Sequence, residues 1–200
     1  MDPGLWRRFE MGLAEVGAVA EPTWRAPLTK YLELLLLWNA KMNLTAVRDP
    51  AGIVVRHFAD SFAPVADLPA DARTLLDVGS GGGFPGAILA IARPNIAVTL
   101  LESLHKKAAF LSTVKRELPL PNVTVEARRL EDFDRPAGFD VVISRAAIPL
   151  PGWFDAARPF RSPTGVILAM EGSEQSPLPP GATRRSYTLD GAARAILRST

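Results

Sequence analysis

With 200 residues, 48% of them hydrophobic and 22% charged, the chain is large enough and balanced enough to bury one sizeable core without covalent staples. It contains no cysteine, which excludes disulfides, thiolate metal centres and any chemistry that needs a cysteine nucleophile. The net charge of +2 excludes a strongly basic tail: residues 1–70 carry seven Lys/Arg against eight Asp/Glu and residues 71–200 sixteen against thirteen, with the surplus gathered at Lys106, Lys107, Lys115, Arg116, Arg128 and Arg129, a patch that suits either a polyanion or a solvated helix face.

Leu5–Val19 reads as a helix, with Leu5, Phe9, Leu13 and Val16 on one stripe. A second helix is expected over Thr23–Lys41. Pro27 lies near its start, where a missing N–H costs least, and Leu28, Tyr31, Leu32, Leu35 and Trp38 line one face. The most apolar run, Tyr31–Trp38, is broken by Glu33 and is too short to span a bilayer, and no secretory signal is visible. A cytoplasmic, membrane-free and monomeric protein is therefore expected. Asp49-Pro50 is a cap followed by a proline at the first helical position. The helix it opens would carry Ile53, Val54, His57, Phe58 and Phe62 and be closed by Pro64 and Pro69.

The pattern changes at Thr74. Thr74–Val78 is a short apolar strand with an acid, Asp77, at its end, and the run Gly79-Ser80-Gly81-Gly82-Gly83 follows. Then come a helix over Phe84–Ala92, a strand over Ala97–Leu101 ending in Glu102, an amphipathic helix over Lys106–Leu118 and a strand over Val123–Ala127. A strand over Phe139–Ser144, a helix over Trp153–Phe160, a strand over Val166–Met170 and a terminal hairpin over Thr183–Leu189 and Arg194–Arg198 complete the chain. Strands alternating with helices predict parallel βαβ units with right-handed crossovers. The expected architecture is α/β: a Rossmann-like doubly wound sheet over residues 71–200, with helices on both faces, and an N-terminal helical cap over residues 1–70.

Open parallel sheets bind ligands beyond the carboxyl ends of their strands, so the glycine run is the place to look. Gly81-Gly82-Gly83-Phe84-Pro85-Gly86 matches the dinucleotide fingerprint, and Glu102 lies at a suitable distance to hold a ribose; both suit NAD and an oxidoreductase. Asp77 points the other way. A carboxylate there repels a pyrophosphate and favours a cofactor with an ammonium and no phosphate, and Pro85 removes an N–H from the helix start that a phosphate would use. S-adenosylmethionine fits that description, with Asp77, Gly79, Gly81 and Gly83 around its amino-acid end and Glu102 on its ribose. A ligand-free tight turn is the plain structural alternative for the loop, and a solvated strand-end acid is the alternative for Glu102.

Several segments, taken in order, carry a more specific resemblance. They are Trp38–Asp49, with Asn-Leu-Thr-Ala-Val-Arg-Asp at its end; Val55–Ser61, with Arg-His-Phe-Ala-Asp-Ser; Leu76–Gly86; Leu100–Ser103; Lys107–Leu111; and Phe139–Ala146. Together they resemble the bacterial 16S ribosomal RNA guanine-N7 methyltransferases, also called glucose-inhibited division protein B. The chain departs from the family at His105, where glycine is usual, at Lys106-Lys107, where Lys-Arg is usual, and at Leu130, where alanine is commoner. The resemblance implies methylation of a guanine N7 in 16S ribosomal RNA, a small-subunit or rRNA partner, S-adenosylmethionine as cofactor and no metal. It also implies cofactor contacts at Gly79, Phe84, Leu130, Glu131 and Arg145.

Arg145, after the fourth strand, is the residue expected to matter most to catalysis, through the cofactor, a phosphate or guanine O6. Its plain alternative is a strand-end arginine paired with Asp140 or Asp155. Arg56 and His57 are expected to meet RNA from the cap, with Asn43 and Arg48 in the same cleft, although a core histidine is an equal reading of His57. Lys106, Lys107, Lys115, Arg128 and Arg129 are candidates for phosphate contacts. Apart from the resemblance, an NAD-dependent oxidoreductase, a methyltransferase of another substrate class and a non-catalytic RNA-binding module stay open.

Overall fold

The computed structural model describes residues 1–134, 138–145, 149–173 and 176–200. The first helix, α1 (Pro3–Glu15), opens with Pro3 at its first position and with the Asp2 side chain accepting the Leu5 N–H at 2.8 Å. It stops short of the expected Val19 because Gly17 turns left-handed (φ 76°) and the N–H of Ala18 closes back onto the Leu13 carbonyl, the 6→1 bond of a Schellman end. Helix α2 (Arg25–Met42) ends where Asn43 takes φ 50°. Helix α3 (Pro50–Ile53), capped by Asp49 through the Gly52 N–H, does not close at Pro64. It widens into a π-type stretch (Val54–Ala59), then tightens into a 3-10 stretch (Asp60–Asp67) that holds Pro64 inside it. Widened turns of this kind concentrate at functional sites.

The sheet follows the expected order: β1 (Thr74–Val78), α4 (Gly86–Ala92), β2 (Ala97–Leu101), α5 (His105–Glu117), β3 (Val123–Glu126), β4 (Phe139–Arg145), α6 (Leu150–Ala157), β5 (Arg161–Glu171), and the hairpin β6 (Thr183–Leu189) and β7 (Ala192–Ser199). Side by side the strands run β3-β2-β1-β4-β5-β7-β6; the first five are parallel, β7 pairs antiparallel to β5, and β6 pairs antiparallel to β7. The hairpin turns on Asp190-Gly191, both at positive φ (53° and 71°), the geometry that matches strand twist. Helix α4 begins two residues later than expected, at Gly86, whose N–H is taken by the Asp77 side chain below it.

Strand alternation decides which residues meet the cap. Leu75, Val141, Ile143, Val166 and Leu168 pack toward α1–α5 in one hydrophobic cluster, whereas Leu76, Val142, Ile167 and Ala169 pack toward α6 in a second. Asp77 and Arg145 continue the first set, two residues beyond Leu75 and Ile143, and so lie on the cap face. That first cluster draws Trp6, Phe9, Leu28, Tyr31 and Phe58 together with Leu189 and Ile196 of the hairpin, so the N-terminal helices and the sheet share one core.

Candidate active site

At the carboxyl ends of β1 and β2 the chain leaves a cavity of about 380 Å³. Gly79–Gly82 and Glu102 form its floor, Leu44, Thr45 and His57 of the cap its roof, and Phe84 and Arg145 a side wall, with Ser103, Leu104 and Lys107 at the rim. A smaller cavity of about 180 Å³ adjoins it through Gly79 and Ser103. Val78, Leu101 and Leu130 give this slot apolar walls, and Arg128, Arg129 and Glu131 edge it.

The floor is mostly backbone. Gly79 (φ 70°) and Gly81 (φ 57°) adopt conformations that side chains resist. Glu102, 5% exposed, steadies the loop: one carboxylate oxygen accepts the Gly81 N–H and the other the Leu104 N–H, both at 2.8 Å. Each oxygen keeps a second lone pair, so Glu102 can still receive a pair of hydroxyls.

Asp77 is the penultimate residue of β1, not the last, and it lies beneath the loop instead of in the cavity wall. It is fully buried. Its Oδ2 accepts the Gly86 N–H at 3.0 Å, whereas Oδ1 has no hydrogen-bond partner among the described residues. Burial pushes the carboxyl up to about 6, with the Gly86 N–H pulling the other way. A buried, unpartnered carboxylate oxygen under a glycine floor fits a cationic group above it and does not fit a diphosphate. Gly83 is also displaced from the expected set. It faces α2, where a Cβ would collide with the Tyr31 hydroxyl, and that hydroxyl donates to the Gly82 carbonyl at 2.7 Å. Gly83 therefore lets α2 close onto the loop and is not a lining residue.

Arg145 pairs with neither Asp140 nor Asp155. Asp140 sits at the opposite end of β4, where it accepts the N–H groups of Arg73 and Thr74. Arg145 instead turns to the cap. Its Nη1 donates to Asp60 Oδ2 (3.3 Å) and the Arg56 carbonyl (3.4 Å), its Nη2 lies 3.3 Å from His57 Nδ1, and the guanidinium stands 5.1 Å from the centre of the Phe84 ring. His57 is stacked on Phe84 (4.8 Å, 20°) and bonded to Thr45 Oγ1 at 2.6 Å. Burial first, and the Arg145 charge second, pull the imidazole down to about 3. His57 Nδ1 also lies 3.0 Å from the Arg56 carbonyl, which can only accept, so in the neutral ring Nδ1–H donates there and Nε2 accepts from the Thr45 hydroxyl. His57 thus belongs to the cavity roof as a neutral, hydrogen-bonded ring.

The remaining expected RNA residues are spread out. Asn43 accepts from Arg48 at 2.7 Å, the two pairing on the exposed edge of the cap. Arg56 forms an exposed ion pair with Asp190 of the hairpin turn at 3.0 Å. Lys106 is exposed and Lys107 half-buried in the first turn of α5, beside the cavity. Arg128 pairs with Glu126 at 3.2 Å, and Arg129 is exposed at the edge of the smaller slot. Leu130 is buried in the wall of that slot and Glu131 exposed at its rim. Ala146, the end of the last resembling segment, lies outside the described residues.

Sequence reasoning did not single out Asp60. It is 1% exposed and carries the bond to Arg145. The signal was present: an acid among Ile53, Phe58, Ala59, Phe62 and Ala63 on an apolar helical face demands a buried cation.

The parallel sheet, the glycine floor and the paired cavities define an S-adenosylmethionine-dependent methyltransferase. Solved structures of that class share the fold: a SAM-dependent methyltransferase from Aquifex aeolicus superposes with a TM-score of 0.58 over 78% of this chain and 96% of that one, at 14% identity. M. jannaschii TYW2 in complex with AdoMet gives 0.58 over 80% and 77%, at 16% identity. The family model described as rRNA small subunit methyltransferase G matches residues 25–191, and the chain belongs to that family. Ribosomal RNA small subunit methyltransferase G from Burkholderia pseudomallei is 43% identical over 181 residues, 86% of this chain and 78% of that protein, and the Burkholderia mallei protein of the same name is equally similar. Among the described residues no helix is long and apolar enough to cross a membrane, and no group of three or more His, Asp or Glu could hold a metal ion.

Proposed function

We propose that the protein transfers a methyl group from S-adenosylmethionine to the N7 of a guanine in 16S ribosomal RNA. The observation that carries the reading is that the two cavities share Gly79 and Ser103: a slot walled by Val78, Leu101 and Leu130 lies beside a chamber floored by glycines and bounded by Glu102 and Arg145. Leu130, Val78 and Leu101 would hold the adenine, Glu102 the ribose hydroxyls, and the floor above the Asp77 carboxylate the ammonium. Bound there, the cofactor supplies an electrophilic methyl on a sulfonium.

Guanine N7 carries an in-plane lone pair and no proton, so the reaction asks the protein for no general base. The neutral, hydrogen-bonded His57 fits a structural place in the roof. What the protein contributes is alignment. The floor and Glu102 fix one partner, and Arg145 fixes the wall beside it, within the roughly 7–11 kcal/mol that orientation can supply. A guanidinium donates to O6, phosphate or a carboxylate; aimed at N7 it would compete with the methyl. A further cavity of about 500 Å³ lies at the ends of β4 and β5 on the α6 side, with Ser144 in its wall, on the face of the sheet opposite to the one Arg145 turns to. Lys106, Lys107 and Arg129 surround the approach and suit RNA phosphates.

The test is incubation of the purified protein with methyl-labelled S-adenosylmethionine and either deproteinised 16S ribosomal RNA or assembled small subunits, followed by chain cleavage at N7-methylguanine. One labelled guanine that cleaves is expected. Label on another atom or another RNA, with the cofactor bound, overturns the assignment to N7 of 16S RNA. Displacement of bound S-adenosylhomocysteine by NAD would favour the oxidoreductase instead.

A further inference from the structure

The reaction as described leaves a buried carboxylate without a task. Asp60 touches neither cavity, yet donors from three strands converge on it. Its Oδ2 accepts from Arg145 Nη1 on β4 and from Arg194 Nη1 on β7, each at 3.3 Å, and its Oδ1 accepts from the Tyr187 hydroxyl on β6 at 2.8 Å. A carboxylate this deep is tolerated only when matched by charge and hydrogen bonds, and here it is matched twice over. Burial and the Asp60 charge raise the Tyr187 phenol far above its ordinary range, so it stays a donor.

Of the residues in this cluster that bond Asp60, Arg145 alone reaches the cavity. An arginine side chain is long and rotatable, and its position must be fixed by what surrounds it. Three neighbours surround it: Asp60 and the Arg56 carbonyl take two of its five N–H groups and His57 lies against Nη2, so N–H groups stay open for a bound group. Asp60 supplies the charged member of those three. Its own side chain is tied to both strands of the C-terminal hairpin, through Tyr187 and Arg194.

Resting on the role given to Arg145 above, we propose that Asp60 is a positioning residue for methyl transfer: it fixes the Arg145 guanidinium at the cavity wall, and Tyr187 and Arg194 hold Asp60 in turn. The C-terminal hairpin is thereby part of the machinery, acting through two hydrogen-bonded links without touching either reactant.

The experiment is a double-mutant cycle on the full-length protein, with Asp60→Asn, Arg145→Ala and the two combined, each checked for native circular dichroism. Single-turnover methylation of the RNA substrate under saturating cofactor is the readout. Asp60→Asn alone is expected to lose roughly 30-fold. Added to Arg145→Ala it should lose less than about twofold more, because the residue through which it acts is already gone. A general structural role would instead multiply the two losses. Should Asp60→Asn fail to fold, Tyr187→Phe takes its place in the cycle; it keeps every charge and removes one hydrogen bond to the carboxylate, for an expected loss of about threefold to tenfold that again vanishes without Arg145. Multiplicative losses, or wild-type turnover in Asp60→Asn, overturn the role of Asp60 in an active enzyme. A wild-type protein that binds cofactor but methylates no RNA overturns the assigned reaction, and this role with it.

Discussion

The floor and the roof of the cavity are built by opposite means. The floor comes from one short stretch, Gly79–Gly82, with Glu102 one strand away, and it works through backbone groups and the absence of side chains. The roof and wall come from Thr45, His57 and Arg145, with Asp60, Tyr187 and Arg194 behind them, and they work through side chains brought together across as many as 134 residues of sequence. A floor of this kind serves any ligand with the right outline. A wall assembled from so many places can aim one group at one atom. On the proposed function, cofactor affinity is expected chiefly from the floor and alignment for transfer chiefly from the wall.

Substitutions that separate affinity from turnover sharpen or break that division. The largest effect is expected at the wall: Arg145→Ala should cut single-turnover methylation by roughly 1,000-fold in a protein that still folds, in line with truncating one member of a buried charged pair. If S-adenosylhomocysteine affinity fell by the same factor while turnover at saturation held, the wall would be part of the floor's task. Next, Glu102→Gln should weaken S-adenosylhomocysteine binding by about 10–100-fold in calorimetry, since one carboxylate oxygen that braces the loop becomes an amide donor, with a smaller change in turnover at saturating cofactor. A Glu102→Gln protein with normal affinity would remove that residue from the ribose contact.

A smaller effect is expected outside the cavity. Lys106→Ala and Lys107→Ala should each weaken RNA binding by roughly threefold at physiological salt and lower the slope of log affinity against log salt by about one. An unchanged slope would take α5 out of the RNA interface. The smallest effect is under the floor. The folded carboxyl of Asp77 is raised from 3.8 to about 6. The folded state therefore binds the proton more tightly than the unfolded chain, so its stabilising contribution is complete below about pH 4 and is lost as pH rises through 6. Asp77→Asn should escape that loss. Without cofactor its melting temperature should match wild type near pH 4 and exceed it by a few degrees at pH 7. Its affinity for S-adenosylhomocysteine should fall, because the charge under the ammonium is gone. His57 acts with the opposite sign. With its folded value at about 3, against 6.5 unfolded, it withdraws stability as pH falls from about 6.5 toward 3, so a His57→Asn protein should lose less stability over that acid range.

Particular residues show how far sequence reading reached. The strand and helix order was legible because hydrophobic period switches sharply between 2 and 3.6 at Thr74, and the parallel βαβ order followed from it. Ends were less legible where a single glycine or a tertiary bond set them. Gly17 stopped α1 early, and the Asp77 side chain delayed α4 to Gly86. The Asp190-Gly191 turn was readable in principle, since that dipeptide matches the positive φ values a two-residue hairpin needs. Gly83 was read as part of the cofactor loop because its neighbours are; only the approach of Tyr31, 52 residues earlier, shows that it makes room for a helix. Arg56 was read as an RNA contact from its place on the cap's inner helix; its ion pair with Asp190, on the hairpin turn, was not legible in the sequence.

The sequence by itself determined the doubly wound sheet, the site at its glycine run and the preference for an ammonium-bearing cofactor over a diphosphate, because these depend on periodicity, on backbone freedom and on the charge of one residue next in line. It also required partners for Asp60 and Arg145, since neither ion is stable unpaired in apolar surroundings. Which ion met which was left to the tertiary structure: strand alternation turned Arg145 toward the cap, and a widened helix carried Asp60 to meet it. Pairing across that distance depends on where two elements pack, and no local pattern along the chain encodes it.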